Sequence, residues 1–107
     1  MKLVFLRDAE ADLLELRAYF IYQFSVSIWR AYSRKLKEAI LKLTQFPQLG
    51  SVPEEIAHLG MSRYRQIISG QIRVIYEIQA DTITIHILCD TRRNLRTLLN
   101  QRVLRGA

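Results

Sequence analysis

Residues 63–89 read RYRQIISGQIRVIYEIQADTITIHILC, and this stretch decides the fold. β-branched and aromatic residues dominate it, and two turn signals, Ser69-Gly70-Gln71 and Ala80-Asp81, divide it. Runs of this composition separated by tight turns predict an antiparallel meander with strands at 63–69, 72–79 and 82–89. Side chains alternate between faces along a strand. In the middle run Ile72, Val74, Tyr76 and Ile78 therefore share one face, expected to meet the core, and Arg73, Ile75 and Glu77 share the other. In the last run Ile83, Ile85, Ile87 and Cys89 alternate against Thr84, His86, Leu88 and Asp90. In the first run Arg63, Arg65 and Ile67 oppose Tyr64, Gln66 and Ile68. With the polar sides aligned, one open face carries Arg63, Arg65, Arg73, Glu77, Thr84 and His86. An arginine-rich sheet face is a platform for phosphate or carboxylate, which the planar guanidinium fork matches.

Upstream, residues 2–6 (KLVFL) predict a short strand. Asp8 is a candidate N-cap, and Glu10, Asp12 and Glu15 follow where a helix dipole favours negative charge. Ala9, Leu13, Leu16, Phe20 and Phe24 recur at three- and four-residue steps, predicting an amphipathic helix over 9–24. Ser25 or Ser27 then caps a second helix with the stripe Ile28, Tyr32, Leu36, Ile40 and Leu43, edged by Trp29 and Ala39. Pro47 disfavours helix at Phe46 and ends it. The short link makes the two helices an antiparallel hairpin. Residues 47–62 form one long connection holding both prolines, and a loop of that length is usually functional or mobile. Leu95, Leu98, Leu99 and Val103 give the tail a helical spacing.

The chain has 107 residues, half of them hydrophobic and 24% charged, which predicts a single domain over 1–107. Such a length excludes a two-domain enzyme with a cleft between lobes and leaves little room for a large cofactor cradle. The net charge is +6, shared equally between the halves, but all four lysines lie in the first and every basic residue after Lys42 is arginine. Residues 92–105 hold five arginines (Arg92, Arg93, Arg96, Arg102, Arg105) and no acid. An acidic partner, protein or nucleic acid, suits this balance. The lone Cys89 excludes an internal disulfide and fits a reducing cytoplasm. No leader-like or membrane-spanning run is present in the sequence. His86 and Cys89, three apart in a strand, fall on opposite faces by simple alternation and so do not form a metal pair. No serine–histidine–acid arrangement or glycine-rich phosphate loop stands out.

The element order, together with Ile72-Arg73-Val74-Ile75-Tyr76-Glu77-Ile78 and Ile87-Leu88-Cys89-Asp90-Thr91-Arg92-Arg93-Asn94-Leu95, resembles the RelE/ParE toxin superfamily. The stretches Ala9-Glu10-Ala11-Asp12-Leu13 and Phe46-Pro47-Gln48-Leu49-Gly50-Ser51 lean to its ParE side. The resemblance implies an α+β fold: N-terminal strand, antiparallel two-helix hairpin, three-stranded antiparallel meander in one twisted sheet, and a short C-terminal helix or tail. It implies the toxin of a type II toxin–antitoxin pair, partnered by a cognate antitoxin and acting in the cytoplasm. No cofactor, metal, membrane or small-molecule substrate is expected.

Two targets follow from the resemblance. ParE-like members inhibit DNA gyrase without being enzymes. RelE-like members cleave mRNA on the ribosome without metal, using a basic residue matching Arg73 and an arginine matching Arg92 or Arg93. Metal-free RNA cleavage needs a base, phosphate-binding cations and an acid. Arg73 and Arg93 would be the cations, and Glu77 or His86 the base. No Tyr or His follows Arg93, and the lysines that such toxins place before the meander are missing, with Arg63 and Arg65 the nearest substitutes, so the nuclease set is incomplete and gyrase inhibition is favoured. Arg63, Arg65, Arg92 and Arg96 are the candidate target- or nucleic-acid-binding residues.

Overall fold

The structure, a computed structural model, describes residues 1–104, of Val103 and Leu104 the backbone alone. The side chain of Val103 and the whole of Arg105, both named above, lie outside the described residues. The order is β1 (Lys2–Phe5), α1 (Arg7–Gln23), α2 (Val26–Lys42), β2 (Tyr64–Ser69), β3 (Ile72–Gln79), β4 (Thr82–Asp90) and α3 (Leu95–Leu104). One sheet runs β1-β4-β3-β2. The meander is antiparallel as predicted, and β1 joins β4 in parallel.

The helix hairpin covers one sheet face. Ser25 caps α2 by accepting the Ile28 amide, whereas Leu6, not Asp8, occupies the cap of α1, and Asp8 lies inside its first turn. Ala9 and Phe20 from α1 and Trp29, Leu36, Ile40 and Leu43 at and beyond α2 pack on Ile72, Val74, Tyr76, Ile83 and Ile85. Trp29 takes the place in the buried stripe predicted for Ile28, and both Ile28 and Phe24 are exposed. They sit on either side of the link between the two helices.

The opposite face is not open. A second apolar cluster covers it: Leu95, Leu98 and Leu99 of α3 and Ile56 of the connection pack on Tyr64, Ile75, Ile87 and Cys89. The expected free platform is therefore a second small core. A buried side chain of this size contributes about 1.5–3 kcal/mol, which explains why α3 lies down despite its arginines.

The alternation of β4 also breaks. The register passes from Ile75↔Ile87 to Tyr76↔Ile85, so His86 is an extra residue, a β-bulge. Ile83 and Ile85 face the helix hairpin, but beyond the bulge Leu88 takes that face while Ile87 and Cys89 turn to the second core. The bulge lies where β4 loses its strand neighbour, since β1 ends opposite Ile85. A period-two reading cannot register an inserted residue.

The long connection is tied down. It contains single 3-10 turns at Pro47–Leu49 and Glu54–Ile56. Ser51 bridges Gln66 on the outer edge of β2, and the Tyr76 hydroxyl accepts the Gly50 amide at 2.9 Å while donating to the Pro47 carbonyl at 2.8 Å.

Candidate functional site

The predicted site residues separate into four places. Arg63, Glu77 and His86 do converge. His86 Nε2 lies 2.9 Å from Glu77 Oε1, Arg63 Nε lies 4.0 Å from Glu77 Oε2, and the Arg63 guanidinium stacks 4.7 Å above the Tyr64 ring. Tyr64 meets the His86 ring edge-on. The second-face strand positions bring them together: Tyr64 is directly opposite Glu77 across β2–β3, and Glu77 opposite Thr84 across β3–β4. Thr84 is buried there and donates to Gln79. Tyr64 is the member that sequence reading missed, because alternation from Arg63 set it on the opposite face; β2 begins at Tyr64, and its register with Glu77 places it on this one.

Arg65 does not join them. β2 begins at Tyr64, and the register sets Arg65 opposite Tyr76, on the helix-hairpin side. There it donates to the Gly50 carbonyl at 2.7 Å.

Arg73 stands four residues from Glu77 along β3, roughly 13 Å at strand rise. Ile75 and its cover lie between them. Arg73 is only 8% exposed. Its Nη1 donates to Glu55 Oε2 at 3.0 Å and its Nη2 to the Thr91 carbonyl, while its buried Nε has no hydrogen-bond partner among the described residues. Glu55, which sequence reading passed over, pins the 54–56 turn to the sheet through this pair. Cys89 is directly opposite Arg73. Burial pushes its thiol up to about 11, although the Arg73 and Arg93 charges act in the other direction.

Arg92, Arg93 and Arg96 form the fourth place, exposed around the turn from β4 into α3. Arg92 clasps Asp90 through Nε at 2.8 Å and Nη2 at 3.1 Å. This pairing holds the Asp90 carboxyl below the usual carboxylate range. Arg93 and Arg96 are the freely presented cations of the tail's start, and an exposed pair such as Arg92–Asp90 contributes little stability, about 0–1 kcal/mol.

Asp12 and Arg102 anchor α3 to α1 and β4. Asp12 Oδ1 accepts from Arg102 Nη2 at 2.6 Å and Asp12 Oδ2 from the Leu88 amide at 3.0 Å; Arg102 Nη1 donates to the carbonyl of the bulge residue His86. These contacts satisfy the edge of β4 that β1 is too short to reach. The bulge also places His86 and Cys89 on one face, contrary to the simple alternation, and His86 Nε2 is taken by Glu77.

His86 titrates below its ordinary value because burial penalises the imidazolium more than Glu77 favours it. With Glu77 as acceptor, the neutral ring carries its proton on Nε2. The contribution of His86 is then complete above the unfolded value near 6.5 and declines as pH falls below it. Denaturant unfolding between pH 8 and 5 is expected to show this decline, with a slope of no more than one proton, and His86→Gln should remove it. A wild-type stability that rises on acidification through this window contradicts the assignment.

A family model described as "ParE toxin of type II toxin-antitoxin system, parDE" matches residues 3–94. No curated protein matches the chain. Among solved structures, a chain of the "Chromosomal ParDE TA system from P. aeruginosa" is similar in fold, with a TM-score of 0.69 at 17% identity. The likeness covers 84% of this chain and 95% of that one.

Proposed function

The chain belongs to the ParE toxin family of type II toxin–antitoxin systems, and from that premise we propose that it arrests growth by inhibiting DNA gyrase and is neutralised in the cytoplasm by a cognate antitoxin. One observation carries the choice of gyrase over mRNA: Arg73, the cation that RNA cleavage would need on the phosphate, is buried under Glu55. The remaining candidates support the same choice. Glu77 and His86 are paired with each other some 13 Å along the strand, and Arg93 stands on the tail. A metal-free nuclease needs base, cations and acid around one phosphate, within hydrogen-bond reach. In a binding inhibitor they need not converge. The exposed Arg63, Arg92, Arg93 and Arg96 are the side chains we assign to target contact, where charge speeds encounter with an acidic surface. Arg65, held by Gly50, is assigned a supporting role.

Gyrase supercoiling assays and translation-coupled reporter mRNA separate the two activities. The purified protein is expected to inhibit supercoiling and leave the mRNA intact, and folded Arg73→Ala protein is expected to retain the inhibition. Unaffected supercoiling at high molar excess, beside translation-dependent cuts that Arg73→Ala abolishes, would establish the ribosome-dependent endoribonuclease instead.

A further inference from the structure

β1 ends opposite Ile85 and the chain leaves the sheet for α1, while β4 runs on to Asp90. Asp12 and Arg102 take up the vacated lane as far as Leu88, on the Leu88 amide and the His86 carbonyl. A cleft of about 470 Å³ lies there between α1, the end of β4 and α3, and extends past them to Arg92 and Arg93. Small-molecule sites have volumes of about 300–1,000 Å³.

The floor of the cleft is a piece of strand edge. Thr91 donates to the Gln71 carbonyl and Leu88 to Asp12, so in the alternation of an antiparallel ladder Leu88 and Asp90 turn their backbone groups away from β3. The Leu88 amide is taken by Asp12, and the Asp90 carbonyl by the Arg93 amide. The Leu88 carbonyl and the Asp90 amide, which flank Cys89, are left toward the cleft. β1 shows what such a pair accepts. Lys2 is aligned with Thr82 and donates to the carbonyl of Asp81, the residue before it. A residue in this lane bonds the neighbours of the residue it faces. One residue aligned with Cys89 would donate to the Leu88 carbonyl and accept from the Asp90 amide.

The charges at the two ends suit a residue that is free at both. Asp12 stands at the Leu88 end, and exposed Glu15 follows it on the same face of α1. Arg93 stands at the Asp90 end, where its charge acts on both Cys89 and Asp90, and its planar fork matches a carboxylate. Arg92 neutralises the Asp90 side chain, as Asp12 does Arg102. A side chain aligned with Cys89 takes the face of Cys89, where Leu98 and Gln101 of α3 form the wall.

We propose that this cleft binds a free L-α-amino acid. Its ammonium sits on the Leu88 carbonyl beside Asp12, its carboxylate on the Asp90 amide and Arg93, and its side chain against Leu98 and Gln101. The site does not depend on the toxin–antitoxin reading.

The probes are L-leucine and L-glutamine, chosen for the apolar and amide character of that wall, titrated into the full chain while its amide resonances are followed. At least one is expected to shift the Asp90 amide saturably. For the one that binds, the amino acid amide, which lacks the carboxylate, and the deaminated acid, which lacks the ammonium, should bind at least tenfold more weakly. The D-enantiomer should also be weaker, because its side chain turns away from α3. Arg93→Gln should weaken binding at least fivefold. Ala11→Phe, at an exposed helix position beside the cleft, should block it by filling space, with the unliganded Tm as the check on folding. Arg96→Gln, outside the cleft, should leave binding unchanged. No saturable shift at Asp90 with either amino acid overturns the site. So does equal binding of the amide and the deaminated acid, or binding that neither Arg93→Gln nor Ala11→Phe alters. The supercoiling assay judges the toxin reading separately from each of these results.

Discussion

Replacing Asp12 by alanine is expected to remove about 3 kcal/mol of stability, and with it the seat of α3. The reasoning starts from burial: the side chains of Asp12 and Arg102 are only 12% and 13% exposed. The intact pair is not a large net gain, because burial alone pushes the Asp12 carboxyl above its ordinary value against the hydrogen bonds from Arg102 and Leu88. Removing one partner is a different matter. It leaves the Leu88 amide without its acceptor and Arg102 one carboxylate short, with only the His86 carbonyl and Asp8, 3.8 Å from its Nε, to hold the cation. For a chain of this size, 3 kcal/mol lowers Tm by roughly 12–24 °C. Asp12→Asn keeps an acceptor for one of the two donors and turns its NH2 to the other, so it should still lose less than Asp12→Ala. Combining Asp12→Leu with Arg102→Met should recover only part of the loss, since it removes both charges but leaves the Leu88 amide and the His86 carbonyl unmatched. Thermal and urea unfolding of the three proteins decides the matter. A loss below 1 kcal/mol in Asp12→Ala means that the pair does not anchor α3.

Gly50→Ala is expected to cost about as much, by overpacking rather than by lost charge. The backbone of Gly50 is extended, with φ −79° and ψ 164°, which alanine accepts. Space is the obstacle. A Cβ there would run into the Gln66 carbonyl and come to 2.6 Å from Tyr76 Oη and 2.8 Å from Tyr76 Cε1. Neither the carbonyl nor the ring is a flexible tip. Tyr76 is fully buried, and its hydroxyl is engaged by both Gly50 and Pro47. The chain must therefore move at 50–51, breaking the bridge between Ser51 and Gln66. Tyr76→Phe should cost less, about 1–3 kcal/mol, for leaving the Gly50 amide unmatched in the interior. Unfolding measurements on both variants test the order; a Gly50→Ala protein as stable as wild type would mean that the connection is not clamped by this contact.

Much of the fold was legible because it depends on local periodicity. The alternation over 63–89 located the meander, Gly70 marked a turn that proves to need positive φ (61°), and Ser25 was read as a cap from its type alone. Glu77 and His86 meet as the alternation expects, His86 as the bulge residue, whereas Arg63 stands before β2 and reaches Glu77 from outside the strand. Asp12 shows the limit. It was read as a complement to the helix dipole, because nothing near it in sequence reveals an arginine 90 residues away. Glu55 lay in a stretch without periodicity, and its pairing with Arg73 required the connection to fold back over the sheet. Arg65 was misplaced by counting the strand from Arg63, when register against β3 decides which face each residue takes.

The elements and their order were written in the chain itself, in spacings of two, three and four residues and in turn residues, and the family in the resemblance of its motifs. Tertiary structure alone decided which arginines are available. The bulge at His86 reversed the faces of β4, and the leucines of α3 gained more by covering Ile75 and Ile87 than by leaving that face to solvent. Burial under that cover took Arg73 from the surface and obliged it to find Glu55, whereas Arg93 and Arg96 stayed in water. Charge is counted along the chain; its accessibility depends on what packs over it.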